Sequence, residues 1–392
     1  MSIIKEISGK IILDSRGDGT VEAHIVFESG AVGIASTPSG KSKGTHEAFT
    51  LPPERAVEII NGELAETFRG RRFATQRDFD SELINLDGTD NKSRIGGNTT
   101  TALSAAFAKA SSISEHLPLF KYFSESLGQN IPHGKLRLFA NMIEGGLHAE
   151  NNLRFQEHWA IPKAVSFTSQ VDIVNSFFKK LGEELQNLFP EAKIFFSDEG
   201  SYSLNFESED IPFSIMMKLR EKLGLMLKID FGMDAAASDV KGEPLELAKI
   251  YKEWHRKFGL IAIEDPFSEE DFIDFHRLHG ELPEVTIIGD DLTTTNVSLM
   301  AKANKNLSVD GIIIKPNQIG TITEALDAVA LARKYGWQVV VSHRSGETMD
   351  DWIADFAVGC GADGFKLGAP SKPERLVKYN RLLQIEKEIA NL

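Results

Sequence analysis

The chain has 392 residues, a formal net charge of −14, and 42% hydrophobic and 26% charged residues. That length suits two domains, or one large α/β barrel with an appendage, and excludes a single small module. The composition is globular, which excludes disorder, collagen and coiled coil, and the acidic balance disfavours a nucleic-acid backbone as partner. Lys5, Glu6, Lys10 and Asp14 interrupt the N-terminal apolar residues, so no secretory leader is expected. No run of 18 apolar residues predicts a membrane span. The single cysteine, Cys360, cannot form an intrachain disulfide, which fits a reducing, cytoplasmic compartment.

Segments 3–12 and 20–28 are rich in β-branched residues and flank the turn sequence DSRGDG, predicting a hairpin. Helical periodicity follows from 52 to 126, as in RAVEIINGELAETF and TTALSAAFAKASSISEHL. These elements predict an N-terminal α+β domain over 1–126, a Gly- and Pro-bearing linker over 127–136, and a C-terminal domain over 137–392. In the last domain, short apolar runs alternate with amphipathic helices, the pattern of βα units in a parallel sheet or barrel. The candidate strands are LMLKIDFGMD, GLIAIEDPF, VTIIGDD, GIIIKPN, QVVVSHRSG and GFKLGAP. Each ends in an ionisable residue: Asp234, Glu264, Asp290, Lys315, His343 with Arg344, and Lys366, at intervals of 23 to 30 residues. One βα unit needs about that length, and a (β/α) barrel gathers the C-terminal ends of its strands into one basin.

Asp234, Glu264 and Asp290, at three successive strand ends, predict oxygen ligands for a hard divalent cation, most simply magnesium. Asp265 and Asp291 adjoin two of them, as further ligands or as helix caps. Lys315 ends a very apolar strand, where burial and a nearby cation would lower its pKa and free the amine to act as a base; a lysine neutralising a carboxylate is the plainer alternative. Glu199, in FFSDEGSY after the strand-like AKIFF, is the candidate acid, or else a solvated loop carboxylate. His343, Arg344 and Ser345 offer an imidazole, a planar fork and a hydroxyl suited to a phosphate or carboxylate, with Lys366 as a further cation. Arg344 could alternatively pair with one of the acids.

Ten stretches in order carry a resemblance from end to end: LDSRGDGTVE, PSGKSKGTHEA, HAENNLRFQEHWAIP, SDEG, GMDAAAS, IEDPF, GDDLTTTN, IKPNQIGTITEA, VSHRSGET and KLGAPSKPERLVKYNRLLQIE. The chain resembles the enolases, the phosphopyruvate hydratases of glycolysis. The resemblance implies an N-terminal α+β domain on an irregular (β/α)8 TIM-like barrel. It implies magnesium-dependent, reversible dehydration of 2-phosphoglycerate to phosphoenolpyruvate by a hydro-lyase. In that comparison Asp234, Glu264 and Asp290 hold one magnesium ion, and Ser42 helps to hold a second. Lys315 is the base, Glu199 the acid, and Arg344 with Ser345 the phosphate clamp. Lys366 holds the substrate carboxylate, while His148, Gln156, Glu157 and His343 surround the departing hydroxyl. Acid–base catalysis alone supplies about 10²- to 10⁴-fold, roughly 3 to 5 kcal/mol, against at least about 8 kcal/mol for whole enzymes. The metals and Lys366 must therefore stabilise the charge that develops on the carboxylate. The mechanism also requires Glu199 to be neutral when it acts.

The chain departs from the family pattern in its loops. Lys41 and Lys43 flank Ser42 where the family reads PSGAST, Glu144 and Leu147 replace an Asn and a Ser before His148, and the acid loop SDEGSYSLN lacks the usual glycines. The Asp234-to-Glu264 interval is also short. These changes keep two other readings open: a paralogue of the carboxyphosphonoenolpyruvate synthase type acting on a different phosphorus-bearing acid, and a weakly active enolase-like binding protein. The resemblance further implies a homodimer, possibly assembled into an octamer, although the arginine that usually answers the intersubunit acid Glu22 is here Gln384.

Overall fold

The computed structural model describes residues 2–41, 44–128 and 136–392. Strands β1 (Ser2–Leu13) and β2 (Gly19–Phe27) form the expected antiparallel hairpin, in register from Ile4↔Phe27 to Leu13↔Gly19. Asp14 closes the turn, its carboxylate accepting from the backbone N–H groups of Arg16 and Asp18. A third strand, β3 (Val32–Ser36), joins β2, and the two-residue β4 (Arg72–Phe73) joins the far edge of β1. On β2 the alternate residues Val21, Ala23, Ile25 and Phe27 are buried, facing the helix Gly97–Ser114 that covers the sheet. Gly33 permits that contact: a Cβ there would fall 1.9 Å from the carbonyl oxygen of Ala106 on the helix. The helical region begins with Pro53–Ile59, passes through a π-helical turn at Ile60–Leu64, and includes Gln76–Asp87 and Leu119–Ser126. Residues 129–135 of the expected linker lie outside the described residues.

Eight strands close the barrel: β5 (Arg137–Glu144), β6 (Glu157–Pro162), β9 (Ile229–Asp234), β10 (Leu260–Glu264), β11 (Thr286–Gly289), β12 (Gly311–Ile314), β13 (Gln338–Ser342) and β14 (Gly364–Lys366), which pairs back onto β5. A small flap, β7 (Phe195–Phe196) and β8 (Tyr202–Ser203), adds to β5 through Ile143↔Tyr202. Strand β6 runs antiparallel to both neighbours, and the other barrel pairs are parallel.

Six of these strands were expected; β5 and β6 were not. The sequence rule seeks an ionisable residue at the C-terminal end of a run, but the antiparallel β6 brings its first residue, Glu157, to that end of the barrel. Of the strand-like AKIFF, two residues are strand.

Phe139, Trp159, Ile161, Ala262, Ile288, Ile313 and Val340 fill the barrel as one apolar cluster. Gly232 makes room for Trp159, since a Cβ there would lie 2.9 Å from its ring. Two residues further along each strand the same inward face carries Glu264, Asp290, Lys315 and Ser342, because side chains alternate with period two. The functional groups therefore stand directly on the packed interior.

Gly33→Ala should lower the thermal unfolding midpoint, with a loss of about 1–3 kcal/mol from overpacking. Gly62→Ala, where a Cβ would meet no atom within 4 Å, should leave it unchanged or slightly raised. Calorimetry of the two variants beside wild type checks the contrast.

Candidate active site

Four strands bring carboxylates into register at one end of the barrel. Glu144 pairs with Glu157 across β5 and β6, Glu157 with Asp234 across β6 and β9, and Asp234 with Glu264 across β9 and β10. Neighbouring strands lie about 4.8 Å apart, so these acids sit side by side, each nearly or fully buried. Lys366, which ends β14 next to β5, extends its Nζ to 2.8 Å from Glu157 Oε1, 2.8 Å from Asp234 Oδ2 and 2.9 Å from Glu264 Oε2. Its ammonium also lies 5.2 Å from the Trp159 ring centroid. Burial works against the charged ammonium, yet Asp234, Glu157 and Glu264 hold its pKa well above the ordinary lysine value. Burial and then the charge of Glu199 push Glu157 up to about 8, and burial and Asp234 raise Glu264 well above the carboxylate range.

The expected metal ligands are divided between two lysines. Asp234 and Glu264 share Lys366, whereas Asp290 Oδ2 is paired with Lys315 Nζ. Gln156 Nε2 donates to Asp234 Oδ2 at 3.0 Å, and Gln318 Nε2 to Asp290 Oδ1 at 3.0 Å. Asp265 accepts the backbone N–H groups of Asp290 and Asp291 at 2.9 and 2.7 Å, so it shapes the loop that presents them. Oxygens of Asp265, Asp290 and Asp291 come within 4.8 Å of one another. The residues fit a hard divalent cation: among the described residues, eight carboxyl groups line the basin against three basic side chains, Lys315, Arg344 and Lys366. Ser42, expected at a second ion, and Lys43 lie outside the described residues.

The expected lowering of the Lys315 pKa is not what the structure holds. Burial is the largest influence and pulls it down, but the charges of Asp290 and then Glu264 together raise it above the ordinary lysine value.

Glu199 is buried in the loop between β7 and β8. His343 Nε2 is 3.2 Å from its Oε2, and His148 Nδ1 is 3.6 Å from its Oε1. Arg375 Nη1 donates to His343 Nδ1 at 2.7 Å, which leaves Nε2 as the protonated nitrogen of neutral His343. Burial lowers His343 to about 4. Burial favours a neutral Glu199, but His343, His148 and Arg375 outweigh it and hold this carboxyl well below the ordinary range. Glu199 held in this way must gain a proton before it can be the neutral acid that the mechanism requires when it acts.

Arg344, at the end of β13, makes a two-pronged contact with Glu47 of the N-terminal domain, Nη1 to Oε2 and Nη2 to Oε1 at 3.0 Å each. The Ser345 hydroxyl accepts the backbone N–H of Lys41 at 2.9 Å, and Lys41 Nζ meets Asp198 Oδ2 at 3.0 Å. The charge of Lys41 is therefore taken up by the acid loop. Glu47, Gln318 and Arg375 were not singled out from sequence. They lie inside the quoted stretches THEA, KPNQIG and KPERL, but nothing in their spacing indicates which strand end they meet.

The family model described as "Enolase, C-terminal TIM barrel domain" matches residues 137–244 and 240–392, and that described as "Enolase, N-terminal domain" matches residues 4–123. Enolase of Sulfolobus acidocaldarius is 38% identical over 400 residues, covering 98% of this chain and 95% of the relative. Enolase of Metallosphaera sedula is 39% identical over 407 residues, with 98% and 96% covered. Enolase of Methanopyrus kandleri is 36% identical over 417 residues, with 100% and 97% covered.

Lys366→Met leaves Glu157, Asp234 and Glu264 without their shared cation. Without divalent ions the variant should lose about 3–5 kcal/mol, as when one partner of a buried pair is removed. Its unfolding midpoint should also rise more on adding magnesium than that of wild type. Equal magnesium responses in calorimetry would place the ion elsewhere.

Proposed function

This chain belongs to the enolase family of lyases, and from that premise we propose that it catalyses the magnesium-dependent, reversible dehydration of 2-phospho-D-glycerate to phosphoenolpyruvate. The observation that carries the reading is one basin lined both by a lysine amine and by a buried carboxyl, together with a cluster of further carboxyl groups. Lys315 follows β12 and Glu199 packs beside β5, three strands away round the eight-strand ring.

Asp234, Glu264 and Asp290 are the proposed holders of the first magnesium ion, and Ser42 contributes to a second; bound there, magnesium would neutralise the charge that grows on the substrate carboxylate as C2 loses its proton. Lys315 Nζ takes that proton. Asp290, which keeps the amine protonated, is itself a proposed metal ligand, so the availability of the base depends on how the charge of Asp290 is shared. Lys366 faces the substrate carboxylate. Arg344 and Ser345 hold the phosphate; Arg344 presents the planar fork that such recognition uses, and Glu47, which holds that fork in a two-pronged contact, has to release it for a phosphate to bind there. Glu199 protonates the departing hydroxyl, with His148, Gln156, Glu157 and His343 around it. The Lys41–Asp198 pair speaks against an altered substrate, because that added cation is already neutralised.

Assembly as a homodimer through the N-terminal sheet belongs to the same reading. Ile11, Leu13, Val32 and Ile34 stand exposed on β1 and β3, while Glu22 is bonded within its own chain to Lys10 and His24. A cytoplasmic setting is proposed with it, consistent with the one buried thiol. Among the described residues no helix is long and apolar enough to cross a membrane.

Phosphoenolpyruvate formation from 2-phosphoglycerate, followed by ultraviolet absorbance, should require magnesium and stop with excess EDTA; folded, magnesium-loaded protein with no turnover would overturn the proposal. Lys315→Ala should abolish exchange of the C2 proton with solvent, whereas Glu199→Gln should block dehydration and leave exchange measurable. Exchange surviving in the lysine variant would remove Lys315 as the base. Asp290→Asn should raise the magnesium concentration needed for half-saturation more than Asp291→Asn does, as measured by titration calorimetry.

A further inference from the structure

Beside the proposed acid lies a second carboxyl that the reaction as described leaves without a role. Glu144 ends β5 with no exposure to solvent. Among the described residues, none gives either of its oxygens a hydrogen bond of normal geometry, and the same holds for both ring nitrogens of His148 and for Glu199 Oε2. Buried polar atoms are rarely left so, and an unpaired buried carboxylate is costly. His148 stands between the two acids, its Nδ1 3.3 Å from Glu144 Oε1 and 3.6 Å from Glu199 Oε1. The other oxygen of Glu199 faces the Nε2–H of His343, which Arg375 fixes from behind. The proton of Glu199 therefore belongs on Oε1, the side of His148.

The geometry points to Glu144 as a positioning residue that stores the proton Glu199 delivers to the leaving hydroxyl and passes it across His148. This inference rests on the dehydration proposed above. The Glu144 carboxyl O–H donates to His148 Nδ1; the proton moves onto Nδ1 and from there to Glu199 Oε1. The ring keeps its Nε2–H throughout, so His148 ends neutral, Glu144 ends as the carboxylate and Glu199 as the acid. At rest two buried carboxyls this close share one proton rather than both ionising, and once the departing hydroxyl has taken it the pair regains a proton from basin water by way of Glu199 before the next turnover. The surroundings decide where it rests. Glu199 meets the donor His343 and the charges of His148 and Arg375, whereas the groups acting on Glu144 are the negative Glu199 and Asp198, with a Ser197 hydrogen bond and the charge of Arg375 opposing them. Across β5 and β6 it adjoins Glu157, and on its own loop His148. Burial and Glu199 hold Glu144 well above the carboxylate range. These contacts favour the shared proton on Glu144 and an ionised Glu199, ready to receive it.

Glu144→Gln keeps the shape and removes the store. The expected result is a fall of about tenfold or more in kcat for dehydration at neutral pH, within the range a general acid contributes. Exchange of the C2 proton, which depends on Lys315, should stay within about twofold. The alkaline limb of the dehydration pH profile should move to lower pH, because Glu199 alone loses its proton earlier. A structural role would lower exchange and dehydration together and leave the limb in place, and that result overturns the proposal. The infrared difference spectrum of wild type minus Glu144→Gln should show a protonated carboxyl band at neutral pH, read without substrate; no such band overturns the proposal as well. If the glutamine variant does not fold, the same spectrum is taken for wild type against Glu144→Asp. A shifted protonated band then supports the store, and identical spectra overturn it. Wild type that neither exchanges nor dehydrates 2-phosphoglycerate would overturn the dehydration reading, while the infrared band still locates the proton.

Discussion

Like charges held in register dominate this structure. Glu144, Glu157, Asp234 and Glu264 stand on four neighbouring strands, where each would repel the next in a medium that screens poorly. The barrel answers with Lys366, one ammonium contacting three of the four, and with protons on those carboxyls whose pKa is raised. The ladder that closes the barrel is thus also what concentrates the charge. An acidic floor of this kind is a standing demand for positive charge, which lysines meet in part and a divalent ion can meet further.

The cluster depends on the alternation of strand side chains. One inward layer is apolar and tightly packed around Trp159 and Phe139, and the next inward position on each strand is ionisable. Rigid packing beneath holds the charged layer to its geometry, as a catalytic constellation requires. The N-terminal domain completes the rim: Glu47 reaches Arg344, Lys41 reaches Asp198, and Ser39 bridges Gly346 through paired backbone hydrogen bonds. Lys92 and Glu324 form a further pair between the domains at 2.8 Å. The domain that carries no strand of the barrel therefore contacts both the anion fork and the acid loop.

Charge is divided between two walls. Around Lys315 and Asp290 the pair is ionic and favours a protonated amine; around Glu199 two histidines and an arginine favour an ionised carboxyl. Both groups sit in the protonation state opposite to the one their proposed chemistry starts from. Burial alone predicts the reverse for each, a neutral lysine and a neutral acid, and in both cases several nearby charges acting together override desolvation.

From the sequence by itself came the hairpin, the helical region, the parallel strands with ionisable C-terminal ends, and through ten ordered stretches the family and its barrel. These features are local: β-branched runs, turn residues and the βα period are written in consecutive residues, as is a motif such as SHRSG. The strands β5 and β6 escaped, the first because its ionisable end was not recognised and the second because its antiparallel course reverses which end meets the basin. The partners of the site residues escaped too. That Arg344 meets Glu47, that Lys366 serves Glu157, Asp234 and Glu264 together, and that Glu144 lies behind His148 from Glu199 are facts of register and closure between residues far apart in the chain. Charge state follows from those contacts, since a pKa is set by what lies a few ångströms away in space. Sequence determined which groups are present and on which strands; only the closed barrel decided which of them hold protons and which hold one another.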